Sequence, residues 1–178
     1  MKTNDPAPAA LRVTGDVTIQ MVITFFRETT GTGGTVLFSC DGRSGNQADN
    51  EAYAFLLTDT PGKLEPNFRY EHSSGTRVST TDTTFYMTPS VPHHIVGRRW
   101  DAGGGSITTQ LWVDGVKIKE LTGQTACDGG TTSFMNIGRQ SSGAVAVREA
   151  LIHGIKVVDR KLTDSELTAE FDRTGLGV

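Results

Sequence analysis

Between positions 17 and 25, apolar Val17, Ile19, Met21, Ile23 and Phe25 alternate with Thr18, Gln20 and Thr24. A period of two over nine residues predicts a long strand with one buried face, because successive side chains of a strand point to opposite sides. Gly31-Thr32-Gly33-Gly34 ends that pattern, and Val36-Leu37-Phe38 reads as a short buried strand. Tyr53, Phe55 and Leu57 share one face of a third strand, and Phe68 and Tyr70 alternate with Arg69 and Glu71 in a fourth. Further strands are predicted at His94–Gly97, Ile107–Val113, Val116–Lys119, Met135–Gly138 and Leu151–Val158. Asp114-Gly115 separates two of them, a hairpin signal, because the tight type I′ turn needs positive φ at both central residues.

The polar stretches between these runs are read as loops: residues 41–51, the Ser- and Thr-rich residues 73–84, and residues 98–106. The last begins with Arg98-Arg99-Trp100, expected to be a solvated basic triplet, and continues into Gly103-Gly104-Gly105-Ser106. One helix is predicted near the C-terminus. Thr163-Asp164-Ser165-Glu166 fits a capping box, with Leu162 and Leu167 at the positions of a hydrophobic staple and Phe171 one turn further on the same face. There is no alternation of strands with helices and no repeat period. The pattern predicts an all-β domain of about ten strands over residues 11–178, preceded by an extended polar arm, residues 1–10, that carries Pro6 and Pro8.

Composition agrees with many turns and one core: 178 residues, 21 Gly, and 36% hydrophobic against 21% charged residues. The net charge of −3 comes with no long basic run, so nucleic acid is not an expected partner. No stretch has the length of a membrane span, so no membrane partner is expected either. The N-terminus lacks the apolar core of a signal peptide. With Met1 as the native start, the expected route is synthesis in the cytoplasm without export by that signal. The two cysteines, Cys40 and Cys127, each open a Cys-Asp-Gly tripeptide. They read either as separate thiols at strand ends or as one disulfide closing a long loop.

Four segments, in order, carry a family resemblance. They are Asp16–Ile23, the Gln110–Val116 hairpin with Leu-x-Val-Asp-Gly, Met135-Asn136-Ile137-Gly138-Arg139, and Leu151–Glu166 with its Arg-x-Leu-Thr-x-x-Glu helix start. Together they resemble the laminin G-like domains of the concanavalin A-like lectin/glucanase superfamily. The resemblance implies an antiparallel two-sheet jelly-roll sandwich with one short C-terminal helix. It also implies a free-standing carbohydrate-binding or adhesion module, or a structural or decorating component of a larger assembly such as a phage virion. The second is the favoured expectation, with capsid or tail subunits, surface glycans or further copies of this chain as partners and the particle surface as its location. One departure is that members often carry Trp-His before the strand near residue 95, where this chain has Pro92-His93-His94 and Trp100 later.

Catalysis is not expected. Glycoside hydrolysis needs two carboxylates flanking the scissile bond, and the superfamily's glucanases place them on one strand as Glu-x-Asp-x-x-Glu or Glu-x-Asp-x-Glu, which this chain lacks. The four histidines, His72, His93, His94 and His153, have no zinc spacing and are read as surface or strand-end residues. The candidate ligand-binding residues are Asn46, Gln47, Asp49, Tyr86 and Trp100: aromatic platforms with neighbouring amides and a carboxylate, the groups that glycans need. Calcium is the candidate cofactor, because relatives bind it in a rim loop and it takes hard oxygen ligands. Its candidate ligands are Asp41, Asp49, Asn50 and Asp128.

Overall fold

The computed structural model describes residues 13, 15–26, 35–41, 51–57, 62–71, 77–126, 134–138 and 150–176. The predicted arm 1–10, the candidate residues Asn46, Gln47, Asp49, Asn50 and Asp128, and Cys127 and His72 lie outside them. Ten strands and one helix are described: β1 Val17–Phe25, β2 Thr35–Asp41, β3 Glu51–Leu57, β4 Pro66–Glu71, β5 Arg77–Thr81, β6 Pro92–Asp101, β7 Ile107–Val113, β8 Val116–Gln124, β9 Phe134–Ile137, β10 Ala150–Val158 and α1 Asp164–Arg173. They form two five-stranded antiparallel sheets, in the order β10-β1-β6-β7-β8 and β5-β4-β3-β2-β9. This is the all-β domain that the pattern predicts, in the two-sheet form that the resemblance implies. No described helix is long and apolar enough to cross a membrane.

The inward faces interlock as the alternation requires. Val17, Ile19, Met21, Ile23 and Phe25 of β1 pack with Leu37, Tyr53, Phe55, Phe68, Ile95, Leu111 and Val113 in one core. A register shift between Val36 and Phe38 lets both Leu37 and Phe38 turn inward. Gly97 in β6 faces the opposite sheet. A Cβ there would lie 2.3 Å from the Phe68 ring, so the close approach of the two sheets at this point needs glycine. At the predicted hairpin, Asp114 and Gly115 have φ of 50° and 76°, as a type I′ turn demands.

Two predicted loops are shortened by strands. Residues 77–81 form β5 despite their weak period, because edge pairing with β4 leaves alternate polar side chains outward; Val78 and Thr80 turn inward and Ser79 does not. The basic triplet is not solvated loop: Arg98, Arg99 and Trp100 belong to β6, and the two arginines are 1% and 0% exposed. Only residues 102–106 turn between β6 and β7. His93 and His94 are likewise buried, against the expectation of surface histidines.

The helix forms where its caps place it. Thr163 Oγ1 accepts from the Glu166 amide at 3.2 Å, and Glu166 accepts from the Thr163 amide at 2.7 Å. Leu162 and Leu167 pack with Val96 and Trp112 on the outer face of the β1/β6/β7 sheet, and the Phe171 ring stacks on His94 at 6.0 Å. The Arg160 guanidinium and the Thr163 amide hold the Glu166 carboxyl down at about 2, from an ordinary 4.5. A depressed carboxylate contributes stability above its unfolded value and loses it as pH falls through the folded value. The cap therefore weakens between pH 4.5 and about 2. Amide exchange of α1 in the wild type and in Glu166→Gln, followed down that range, should show a difference that closes on acidification; a difference constant with pH contradicts the cap.

Candidate functional site

Three connections and one chain segment open at the same end of the sandwich. Tyr53 pairs with Cys40 and Ala54 with Arg69, so the β2–β3 and β4–β5 connections emerge together. In the other sheet, Asp101 pairs with Ile107 and Ile107 with Gln124. The β6–β7 turn and the chain leaving β8 therefore emerge together as well. The two sheets are joined at this end by the phenol of Tyr70, which donates to the Thr125 carbonyl at 2.7 Å. Asp41 and Glu51, which bound the predicted loop, pair at this rim.

Arg99 lies beneath the rim. Its guanidinium stands 5.0 Å from the Tyr70 ring centre and donates to the carbonyls of Val13 and Gly15, each at 2.9 Å. Asp16 accepts from the Asp101 amide at 3.0 Å, so the segment that leads into β1 is held from both sides. Across the core, Thr80 and Thr109 share a buried hydrogen bond of 2.6 Å. The rim thus stands on a polar, fully buried tie between the sheets. Nearby, burial pushes the Tyr53 hydroxyl well above its ordinary value, and the ring lies in the core beside Phe38. Tyr53 is structural. Cys40 is buried in the same core.

The aromatic candidates do not converge. Tyr86 is exposed, takes a hydrogen bond from Lys63 at 2.7 Å and donates to the Thr83 carbonyl. It lies beside the segment where Ser90 bonds to Phe25 and His93 to Thr88, at the end of β1 away from the rim. Trp100 is half-buried near the Val17 end, where Val17 pairs with Arg99. The length of β1 separates them, about 25 Å at 3.3 Å per residue. The Lys161 ammonium sits 3.9 Å from the centre of the Trp100 ring, so the ring already serves a cation. Trp112 is buried, with its indole N–H on Gln110 at 2.9 Å.

With Trp100 on the outer face, Arg98 shows why that face is ordered. Its Nε donates to Gln110 at 2.5 Å, Nη1 to the Leu162 carbonyl at 2.6 Å, and Nη2 to Asp164. One guanidinium thus fastens the N-terminus of α1 to β6 and β7. Sequence patterning missed Arg98 and Arg99, and their strand alternation in Ile95-Val96-Gly97-Arg98-Arg99-Trp100 was the available signal.

Five of the described carboxylates hold the structure together. Glu65 is buried and accepts from Thr81 at 2.9 Å. Glu120 pairs with Lys117, Glu166 with Arg160, and Glu170 with Lys156 and Arg173. Asp114 accepts from the His94 amide and lies 2.6 Å from His93 Nδ1. Burial works against a charge on His93, but the Asp114 carboxylate and the Thr88 carbonyl outweigh it and raise its pKa; burial lowers that of His94. Asp41, the described calcium candidate, is the last residue of β2, at the rim. No group of three or more His, Cys, Asp or Glu residues among the described ones is placed to hold a metal ion.

A laminin G-type family model, described as the concanavalin A-like lectin/glucanases superfamily, matches residues 4–168. The chain belongs to that superfamily. No curated protein sequence matches this superfamily member significantly. Among solved structures, it is similar to the binding domain of botulinum neurotoxin DC in complex with SialylT, at 10% identity and a TM-score of 0.63, over 94% of this chain and 38% of that one. It is similar to Trypanosoma rangeli sialidase in complex with sialic acid, at 16% identity and a TM-score of 0.60, over 93% and 24%. Domain 4 of an extracellular arabinanase from Geobacillus stearothermophilus, in complex with arabinotriose, matches at 14% identity and a TM-score of 0.60, over 91% and 69%. At these identities the likeness concerns the fold. The chain spans well under half of the toxin and sialidase chains.

Arg99 gives the first test of the rim. Arg99→Lys keeps the charge but cannot reach two carbonyls while stacking on Tyr70. It should cost about 2 kcal/mol in denaturant unfolding, the scale of a broken buried hydrogen-bond set. Arg160→Lys, at an exposed position, should stay within about 0.5 kcal/mol of wild type. Equal effects of the two would contradict the buried tie.

Proposed function

We propose that this chain is a non-catalytic glycan-binding module, carried on the surface of a larger assembly such as a virion and engaging its ligand through the rim. The observation that carries this reading is the gathering of the β2–β3, β4–β5 and β6–β7 connections at one end of the sandwich, above the Arg99 tie. Binding loops are best placed on a rigid scaffold, and residues 42–50 supply amides and carboxylates suited to sugar hydroxyls. Structures of similar fold were solved with sialic acid, SialylT and arabinotriose, which makes glycans the natural ligand class. Asn46, Gln47 and Asp49 are the proposed contact residues from the β2–β3 connection. Tyr86, at the far end, is no part of this site, and Trp100 flanks it from the outer face.

The structural employment of Glu65, Glu120, Glu166, Glu170 and Asp114 favours binding over hydrolysis, because a catalytic pair must be free to exchange protons across the scissile bond. Calcium is proposed to order the rim through Asp41, Asp49, Asn50 and Asp128. Protein subunits of the assembly are proposed to meet the module away from the rim.

A glycan array tests the reading. The intact chain should bind a defined set of glycans, and replacing residues 42–50 by a short Gly-Ser linker should abolish binding with little change in melting temperature. Chelation by EDTA should weaken the same hits. Release of reducing ends from a bound glycan, abolished by one Glu or Asp substitution, would replace this reading by an enzyme; an array without hits from folded protein would reject it.

A further inference from the structure

His93 stands near the start of β6, at the end of the sandwich away from the rim. It pairs with Ile23 of β1, a core residue, so its buried ring turns to the core side of the sheet. Two connections meet on this ring. Nδ1 lies 2.6 Å from Asp114 Oδ2, in the turn between β7 and β8. Nε2 lies 2.9 Å from the Thr88 carbonyl oxygen and 3.1 Å from the Thr88 amide nitrogen, in the connection between β5 and β6.

Asp114 is fixed in place. Its other oxygen takes the His94 amide at 2.8 Å, and its own amide donates to the His94 carbonyl at 2.9 Å. A carboxylate only accepts, so Nδ1 keeps a proton whether the ring is charged or neutral. The choice falls on Nε2. Protonated, it donates to the Thr88 carbonyl; deprotonated, it only accepts, and the Thr88 N–H is its partner. The ring is within reach of both, so one proton decides which backbone group of Thr88 is held.

The rest of this connection has few other backbone ties. The Met87 amide donates to the Leu64 carbonyl at 2.9 Å and the Ser90 amide to the Phe25 carbonyl at 2.5 Å. Ser90 has φ of 62°, the left-handed region that a side chain disfavours. Such a conformation persists only while its surroundings hold it. The same connection exposes Tyr86 and Val91.

We propose that His93 is a proton-operated latch on residues 82–91. Charged, it ties the Thr88 carbonyl to Asp114 and holds the connection on the end of β6. Neutral, it gives up that carbonyl, and the connection loosens around Tyr86 and Val91. Asp114 is the charged group that acts on the ring. On the side of the opposite sheet, Lys63 meets Tyr86, Glu65 meets Thr81 and Asp82 meets Thr84. β1 carries no charged residue, His153 of β10 bonds Thr24, and His94, on the other face, feels Asp114 and Glu170. The His93 pKa is raised above its ordinary 6.5. A raised histidine contributes stability that is complete below its unfolded value and is lost as pH rises through the folded one. The latch therefore holds in mild acid and opens on the alkaline side. It does not rest on the rim reading, since none of its residues belongs to the rim.

The test is a pH titration of the full chain by NMR, following the His93 ring nitrogens and the Thr88 amide, with hydrogen exchange of the Met87 and Ser90 amides corrected for intrinsic exchange. His93 should titrate above 6.5 and leave its remaining proton on Nδ1. Protection of Met87 and Ser90 should fall by about tenfold across that titration, the scale of one charge-assisted hydrogen bond lost, while Val96 in mid-strand keeps its protection. Asp114→Asn keeps a residue that tolerates positive φ and removes the charge, so the release should move to lower pH. His93→Gln, which does not titrate, should abolish the pH dependence. A His93 pKa at or below the ordinary value, a neutral ring protonated on Nε2, protection unchanged across the titration, or the same pH dependence in His93→Gln would overturn the proposal.

Discussion

Two adjacent guanidinium groups, Arg98 and Arg99, are buried on opposite faces of β6, which lies between β1 and β7. Burying a charge without partners is costly enough that the chain would sooner unfold locally. Each arginine is therefore saturated by groups that only the finished fold brings together. Arg98 collects Gln110, the Leu162 carbonyl and Asp164, from β7 and the start of α1. Arg99 collects the carbonyls of Val13 and Gly15 and the face of Tyr70. The alternation of a strand divides the labour: one side chain orders the helix, its neighbour orders the rim.

The rim and the outer face follow from that division. The rim is a set of connections whose feet are fixed by Arg99, Tyr70 and Asp16. On the outer face, Arg98 and the cap fasten the start of α1, and Phe171 and Glu170 hold its far end to His94 and Lys156. Gln20 and His94 are buried beneath it. His93, one residue earlier, meets a carboxylate and gains proton affinity despite its burial, whereas burial costs His94 proton affinity. Neighbouring identical residues in one strand thus take opposite electrostatic roles because they face opposite layers.

Local chemistry was legible from the chain. The alternation from Val17 to Phe25, the Asp114-Gly115 turn and the Thr163–Glu166 cap each depend on residues close in sequence, and each appears as expected. What was not legible depended on partners distant in sequence. Arg98-Arg99 read as solvated because Leu162 and Val13 are 64 and 86 residues away. The strand at 77–81 has little apolar period of its own and is defined by pairing with β4. Tyr86 and Trp100 looked alike as stacking platforms, and only the register of β1 against β6 puts them at opposite ends. Gln20 read as a spacer between apolar residues, and nothing local marks its unfilled bond.

Hydrogen exchange on Arg98→Met and Arg99→Met, residue by residue, tests the division of labour most directly. Arg98→Met should lose protection in α1 while the rim ends of β2, β3 and β4 keep theirs. Arg99→Met should do the reverse, opening residues 13–17 and the rim strand ends with α1 unchanged. If both variants deprotect the same amides, the two arginines stabilise one common core, and the separate control of helix and rim is contradicted.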